Sequence, residues 1–124
     1  MKCLGFFLLN LFLCCTYTIE NLPQSNIPPT KRSYNQLIRT NSSLISFGGS
    51  STTKLQEIWE FDIASNQWRE ISPTTTTRPG ERIDTGGFTL KDSKSFCVFG
   101  GLGLKGDLQD LWCFRYEGSR VSAM

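Results

Sequence analysis

One pattern is written twice in this chain. The stretch "ISFGGSSTTKLQEIWEFD", Ile45 to Asp62, returns as "CVFGGLGLKGDLQDLWCFR", Cys97 to Arg115. Phe47 and Phe99 lie 52 residues apart, Trp59 and Trp112 lie 53 apart, and Arg32 and Arg82 lie 50 apart. Three landmarks thus agree on a period near fifty, with a one-residue insertion in the Gly/Ser loop. A chain with such a period folds as stacked copies of one supersecondary unit.

Within each copy the strands can be read from alternation. "NQLIRT" leads through "NSS" into "LISFGG", and "LQEIWEFD" through "IASN" into "QWREIS". Both are hairpin patterns of short apolar/polar runs bounded by turn residues. The Ser/Thr/Pro/Gly stretch from Ser72 to Gly80 reads as a loop. "RIDTGGFTL" then turns through "KDSK" into "SFCVFGG", and a Gly-rich turn leads to "LQDLWCF". No window carries a helical period, so the chain is all-β. Four short strands in up-and-down order make each copy the blade of a β-propeller.

The ordered residues resemble the kelch repeat, whose period is about fifty. An Arg opens each copy (Arg32, Arg82). A strand then ends in a Gly doublet (Gly48-Gly49, Gly100-Gly101). An acidic residue, an aliphatic and a Trp follow (Glu57-Ile58-Trp59, Asp110-Leu111-Trp112). The first copy adds Asp62 and Trp68. Gly at a strand end allows positive φ and close backbone approach, and a Trp on the next strand is expected to cover that bare backbone. Nine residues beyond Trp112 stands Val121 where the first copy has Trp68, so the fourth strand of the second blade is expected to be degenerate. The expected fold is two four-stranded antiparallel kelch-type blades, an incomplete propeller. Residues 32–71 form blade one, 72–81 a loop and 82–124 blade two.

The head differs from the rest. Lys2 precedes an apolar run from Leu4 to Cys15, broken only by Asn10, and small or polar residues follow. That is the layout of a secretory signal peptide, and the run is shorter than the ~20 residues of a membrane span. Residues 1–18 are expected to be the signal, cut between Thr16 and Glu20, and 19–31 a polar, proline-rich linker. Secretion or residence in the secretory lumen follows. "NSS" at Asn41 is an N-glycosylation sequon.

Cys97 and Cys113 remain once the head is set aside. If their strands pair symmetrically about Lys105, the two face each other. A bridge closing that loop is worth roughly 3 kcal/mol, and two buried free thiols are the other reading.

Composition removes several functions. Of 13 basic and 11 acidic residues, Lys2 belongs to the head, which leaves no electrostatic footprint for nucleic acid or anionic lipid. There is no histidine, so this stretch builds no Ser-His-Asp or Cys-His nucleophile and no His-ligated metal site. That includes the copper site of the oxidases among secreted kelch-like propellers. "FGGLGLKGD" lacks the Gly-Lys-Ser/Thr ending of a phosphate loop. The carboxylates, Glu57 with Glu60 and Asp107 with Asp110, read as polar positions around a strand. No catalytic residue, cofactor or metal is expected.

The kelch resemblance implies a non-catalytic module that binds a protein, peptide or other ligand. The first-strand Arg and the loops commonly line the binding end of such propellers, here Arg32, Arg82, Ser50, Ser51 and Lys105. Arg suits carboxylate ligands through its planar fork. Open blade edges invite self-association. Two further readings stay open on the residues alone. One is part of a secreted, oxidase-like propeller enzyme with its catalytic residues elsewhere. The other is an extracellular carbohydrate-binding or adhesive module.

Overall fold

A computed structural model describes residues 2–5, 13–16, 18–24, 26–73, 76–117 and 120–124. Most of the apolar head, where the signal peptide is expected, lies outside them. Its two described pieces, β1 (Lys2–Gly5) and β2 (Leu13–Thr16), pair antiparallel, with Lys2 opposite Thr16. Among the described residues there is no helix.

Two four-stranded antiparallel sheets follow. Blade one is β3 (Gln36–Arg39), β4 (Ser43–Phe47), β5 (Ile58–Asp62) and β6 (Gln67–Glu70), in chain order. Blade two is β7 (Gly86–Thr89), β8 (Ser95–Gly103), β9 (Gly106–Glu117) and β10 (Arg120–Ala123), also in chain order. Arg32 and Arg82 stand just ahead of β3 and β7.

The second blade does have a fourth strand. β9 runs on to Glu117 before turning, so the ladder sets Ala123 opposite Phe114, where blade one sets Trp68 opposite Phe61. Counting nine residues from Trp112 points to Val121 because it assumes equal hairpin lengths. The β8–β9 hairpin is also longer than its counterpart. It continues past the Gly doublet to Gly103 and Gly106, with a one-residue irregularity between Phe99 and Gly101. Cys97 lies opposite Cys113 with Cα atoms 4.1 Å apart, and a disulfide joins them.

The blades share one core. Ile38, Ile45, Phe47, Ile58 and Ile71 come from blade one, and Phe96, Val98 and Phe114 from blade two. Trp112 and Tyr116 pack against them half-buried. The alternation of β4 and β5 sends Ile45, Phe47 and Ile58 to one side. The alternation of β8 and β9 sends Phe96, Val98 and Phe114 to meet them. Phe96 and Phe114 are register partners whose rings stack with centroids 5.2 Å apart. Each such side chain taken from water is worth roughly 1.5–3 kcal/mol.

The Gly doublets repeat in geometry as in sequence, with φ of 62° and 97° at Gly48 and Gly49, and 62° and 95° at Gly100 and Gly101. Trp does not supply the cover over the first doublet. A Cβ on Gly48 would meet the Arg82 carbonyl oxygen at 2.7 Å and that of Leu55 at 3.4 Å. The Gly49 N–H donates to that same Arg82 oxygen at 3.0 Å. The β4–β5 register explains the difference, since it sets Trp59 opposite Ser46, two residues short of Gly48.

Gly48→Ala therefore combines left-handed strain, about 1–3 kcal/mol, with a collision against the neighbouring blade. Gly80, with nothing within 4 Å of its Cβ position, is the control. Urea midpoints should drop sharply for Gly48→Ala and stay within about 0.5 kcal/mol of wild type for Gly80→Ala. Equal effects would contradict this packing.

Candidate functional site

Each blade contains the same clamp. In blade one, Arg32 donates through Nη1 to the Gly48 carbonyl at 3.2 Å, through Nη2 to Glu57 Oε2 at 2.7 Å and through Nε to the Thr30 carbonyl at 3.1 Å. The Trp59 indole N–H donates to the same Glu57 oxygen at 3.0 Å. In blade two, Arg82 reaches the Gly100 carbonyl at 3.1 Å and the Gly80 carbonyl at 3.1 Å. It holds both Asp110 oxygens, at 2.6 and 3.0 Å, and Trp112 Nε1 donates to Asp110 Oδ2 at 2.6 Å.

These contacts engage Arg32 and Arg82, two of the residues expected to bind a ligand, within their own blades. Their side chains are only 5% and 2% exposed, and each guanidinium is neutralised inside its own blade. A guanidinium so deeply buried must be paired, and the carboxylate two residues before the Trp is its partner. Sequence reading placed Glu57 and Asp110 in the repeat motif as polar positions around a strand, without a partner, because the Arg lies far away in the chain, across strands that only the blade topology brings together. Trp59, Trp112, Gly48 and Gly100 thus belong to one structural device.

The charges respond accordingly. The Arg82 hydrogen bond draws the Asp110 carboxyl down to about 2 against the opposing effect of burial, with Trp112 adding to it. Partial burial pushes Glu57 up, but the Arg32 and Trp59 donors outweigh it and the net direction is down. Asp92, in the β7–β8 turn, is lowered to about 2 by the Ser95 hydroxyl and by the backbone N–H groups of Ser95 and Lys94.

The other expected binding residues do not converge. Ser50 is tied by its backbone to Ser33, with N···O distances of 2.8 and 2.9 Å. The Ser51 N–H closes a local turn on the Thr53 carbonyl at 3.0 Å. Lys105 is exposed on the two-residue tip of the β8–β9 hairpin. Asn41 is exposed in the β3–β4 turn, while Ser43, the hydroxyl residue of its sequon, is buried and donates to Glu60 at 2.6 Å.

An open cleft of about 440 Å³ lies at the opposite end of the blades from the clamps. Thr40, Asn41 and Ser42 of the β3–β4 turn, Ser93 and Lys94 of the β7–β8 turn, and Arg115 and Tyr116 of β9 line it. Sequence reading missed it because its halves come from different blades. Lys94 and Arg115 are exposed, and among the described residues neither is held in an ion pair. Behind the cleft sits a buried polar knot. Glu60, 1% exposed, accepts from Ser43 Oγ, from Arg69 Nε at 2.5 Å and from the Tyr116 hydroxyl at 3.1 Å. Arg69 also contacts the Tyr116 hydroxyl and lies 5.7 Å from its ring centroid. Burial first, then the Glu60 charge, raises the Tyr116 pKa, and the Glu60 hydrogen bond raises that of Arg69. Among the described residues no group of three or more His, Cys, Asp or Glu side chains is placed to hold a metal ion. No helix there is long and apolar enough to cross a membrane.

The repeated Arg, Gly-Gly, acid and Trp device agrees with what a comparison with known families finds. The model of the KLHDC2/KLHL20/DRC7 Kelch-repeats domain matches residues 6–124. The chain belongs to the kelch-repeat family. The match takes in both kelch blades and begins inside the apolar head. No curated protein matches the chain.

The clamp of the second kelch blade contributes to the acid limb of the fold's stability. Asp110 ordinarily titrates near 3.8 and is held at about 2. Its contribution is therefore complete above pH ~4 and is lost as pH falls from there through about 2. Asp110→Asn should lower the urea midpoint at neutral pH and flatten the loss of stability between about pH 4 and pH 2. Asp92 still titrates in the variant, so part of the acid limb should remain. An unchanged acid limb would show that the Arg82–Asp110 pair contributes nothing.

Proposed function

We propose that this kelch-repeat chain is a non-catalytic interaction module that takes an acidic stretch of a protein partner in the cleft between its blades. The observation that carries this reading is the contrast in cation use. Arg32 and Arg82 are neutralised within the blades, whereas Lys94 and Arg115 line an open cleft together with Thr40, Ser42 and Tyr116. Cations that no ion pair holds among the described residues are the ones a carboxylate can reach without breaking the fold. The kelch family membership favours a protein ligand.

A fluorescent Glu/Asp-rich peptide and its Gln/Asn counterpart test this by anisotropy. The acidic peptide should bind, with affinity falling as salt rises. Arg115→Ala should weaken it about tenfold, as for the loss of one charge-assisted hydrogen bond. Equal binding of both peptides, or binding indifferent to Arg115→Ala and Lys94→Ala, would contradict the reading.

We propose too that the chain enters the secretory pathway and carries a glycan on Asn41. The head with Lys2 and its apolar run, the paired Cys97 and Cys113, and the exposed Asn41 support this. Asn41 lines the cleft, so a glycan there would stand at the mouth of the binding surface. Since folding buries Ser43, attachment would have to precede folding. Expression in secreting cells should yield a product in the medium that begins between Thr16 and Glu20 and shifts in mass on deglycosylation. A product retained in the cytosol that starts at Met1 with free thiols would contradict it.

A further inference from the structure

We infer that the outward face of blade two docks blade one of a second copy of this chain, head to tail. The internal interface is the template. In blade one, Ile38, Phe47 and Ile58 are 3%, 0% and 1% exposed, because blade two covers them. The ladders set Phe88, Phe99 and Leu111 in the same places on blade two. These are 48%, 52% and 58% exposed. They share with the Cys97–Cys113 pair the side of the sheet away from blade one, Phe88 in line with the pair and Phe99 opposite Leu111 in the next row. An apolar sheet face that its twin buries completely marks an interaction surface rather than a solvated one.

The Gly doublet bears the same mark. Gly48 and Gly100 share a φ of 62°. Over Gly48 the place of a Cβ is closed by the Arg82 carbonyl of the next blade. Over Gly100, among the described residues, only the carbonyl group of Leu108 lies within 4 Å, its oxygen at 3.0 Å. This is the counterpart of Leu55 in blade one, so the contact that a following blade makes is the one missing. In a second copy the residue that stands where Arg82 stands is Arg32.

The chain carries the other half of the interface as well. On blade one, Leu44, Trp59, Phe61 and Ile63 take the places of Phe96, Trp112, Phe114 and Tyr116, the residues with which blade two covers blade one. Leu44 and Trp59 are half-buried, Phe61 is 4% exposed with the Trp68 ring 5.1 Å away, and Ile63 at the edge of this face is 41% exposed. Front and back thus match between different copies, which makes the contact heterologous. Heterologous contacts close into rings when the rotation permits.

Sedimentation of the full chain and two variants tests this. Leu111→Asp spoils the front face and Ile63→Asp the back face. Both sites are exposed in the single chain, so urea midpoints should stay near wild type. Wild type should assemble to a closed oligomer, and each variant alone should be monomeric. An equimolar mixture of the two should form a 1:1 dimer, because one intact front meets one intact back. Phe88→Ser should behave as Leu111→Asp. A wild-type monomer at every concentration would overturn the inference and leave the face to a blade from a different source. Assembly untouched by Leu111→Asp would overturn it too. So would assembly of Ile63→Asp at wild-type strength, which would mean that the face pairs with itself.

Discussion

Arg82 ties the two blades together, and the rest of the structure depends on that tie. Its backbone belongs to the junction with blade one. The carbonyl accepts from Gly49 at 3.0 Å and the N–H donates to the Leu55 carbonyl at 3.1 Å. Its side chain belongs to blade two, where it holds Gly100 and Asp110. A close approach of two backbones is possible only where one side lacks a Cβ, and Gly48-Gly49 provides that. The carboxylate in turn permits the burial of a guanidinium that would otherwise be too costly to bury. The kelch pattern of Arg, Gly-Gly, acid and Trp is thus a single mechanical part. One blade's Arg holds its own sheet with its side chain and the neighbour's doublet with its main chain.

The position opposite the centre of each second strand shows how one ladder serves two environments. In blade one it is the Ile45–Glu60 pair, and in blade two the Cys97–Cys113 pair. Glu60 faces the neighbouring blade, so its buried carboxylate needs donors, which come from Ser43 and Arg69 of its own blade and from Tyr116 of blade two. The polar knot therefore also joins the blades and fixes Tyr116 at the floor of the cleft. Cys113 faces away from blade one, where no acid or donor set is required, and pairs with Cys97 across the ladder.

The fold was legible in the sequence because the period, the alternation and the turn residues all act locally. The two hairpins of blade one follow directly from "NSS" and "IASN". The facing of Cys97 and Cys113 follows from symmetry about Lys105. The roles of the polar residues were not legible in the same way. Arg32 and Glu57, or Arg82 and Asp110, meet only through the blade topology, so an Arg that looks available for a ligand is already occupied. Lys94 and Arg115 carried no signal at all, since their cleft exists only between blades. The place of Trp68 was misassigned in blade two because strand length, which decides it, is not fixed by spacing from Trp112.

The central claim is that the blades fold as one unit joined at Arg82, and native-state hydrogen exchange addresses it most directly. If the claim holds, the amides of Gly49 and Arg82, bonded across the blade junction, exchange only through the global opening that also frees core ladder amides such as Ile45 and Val98. Their opening free energies and denaturant dependence should then coincide. Exchange at Gly49 and Arg82 through a far smaller opening, with Ile45 and Val98 still protected, would contradict it. The blades would then be separate units that merely touch.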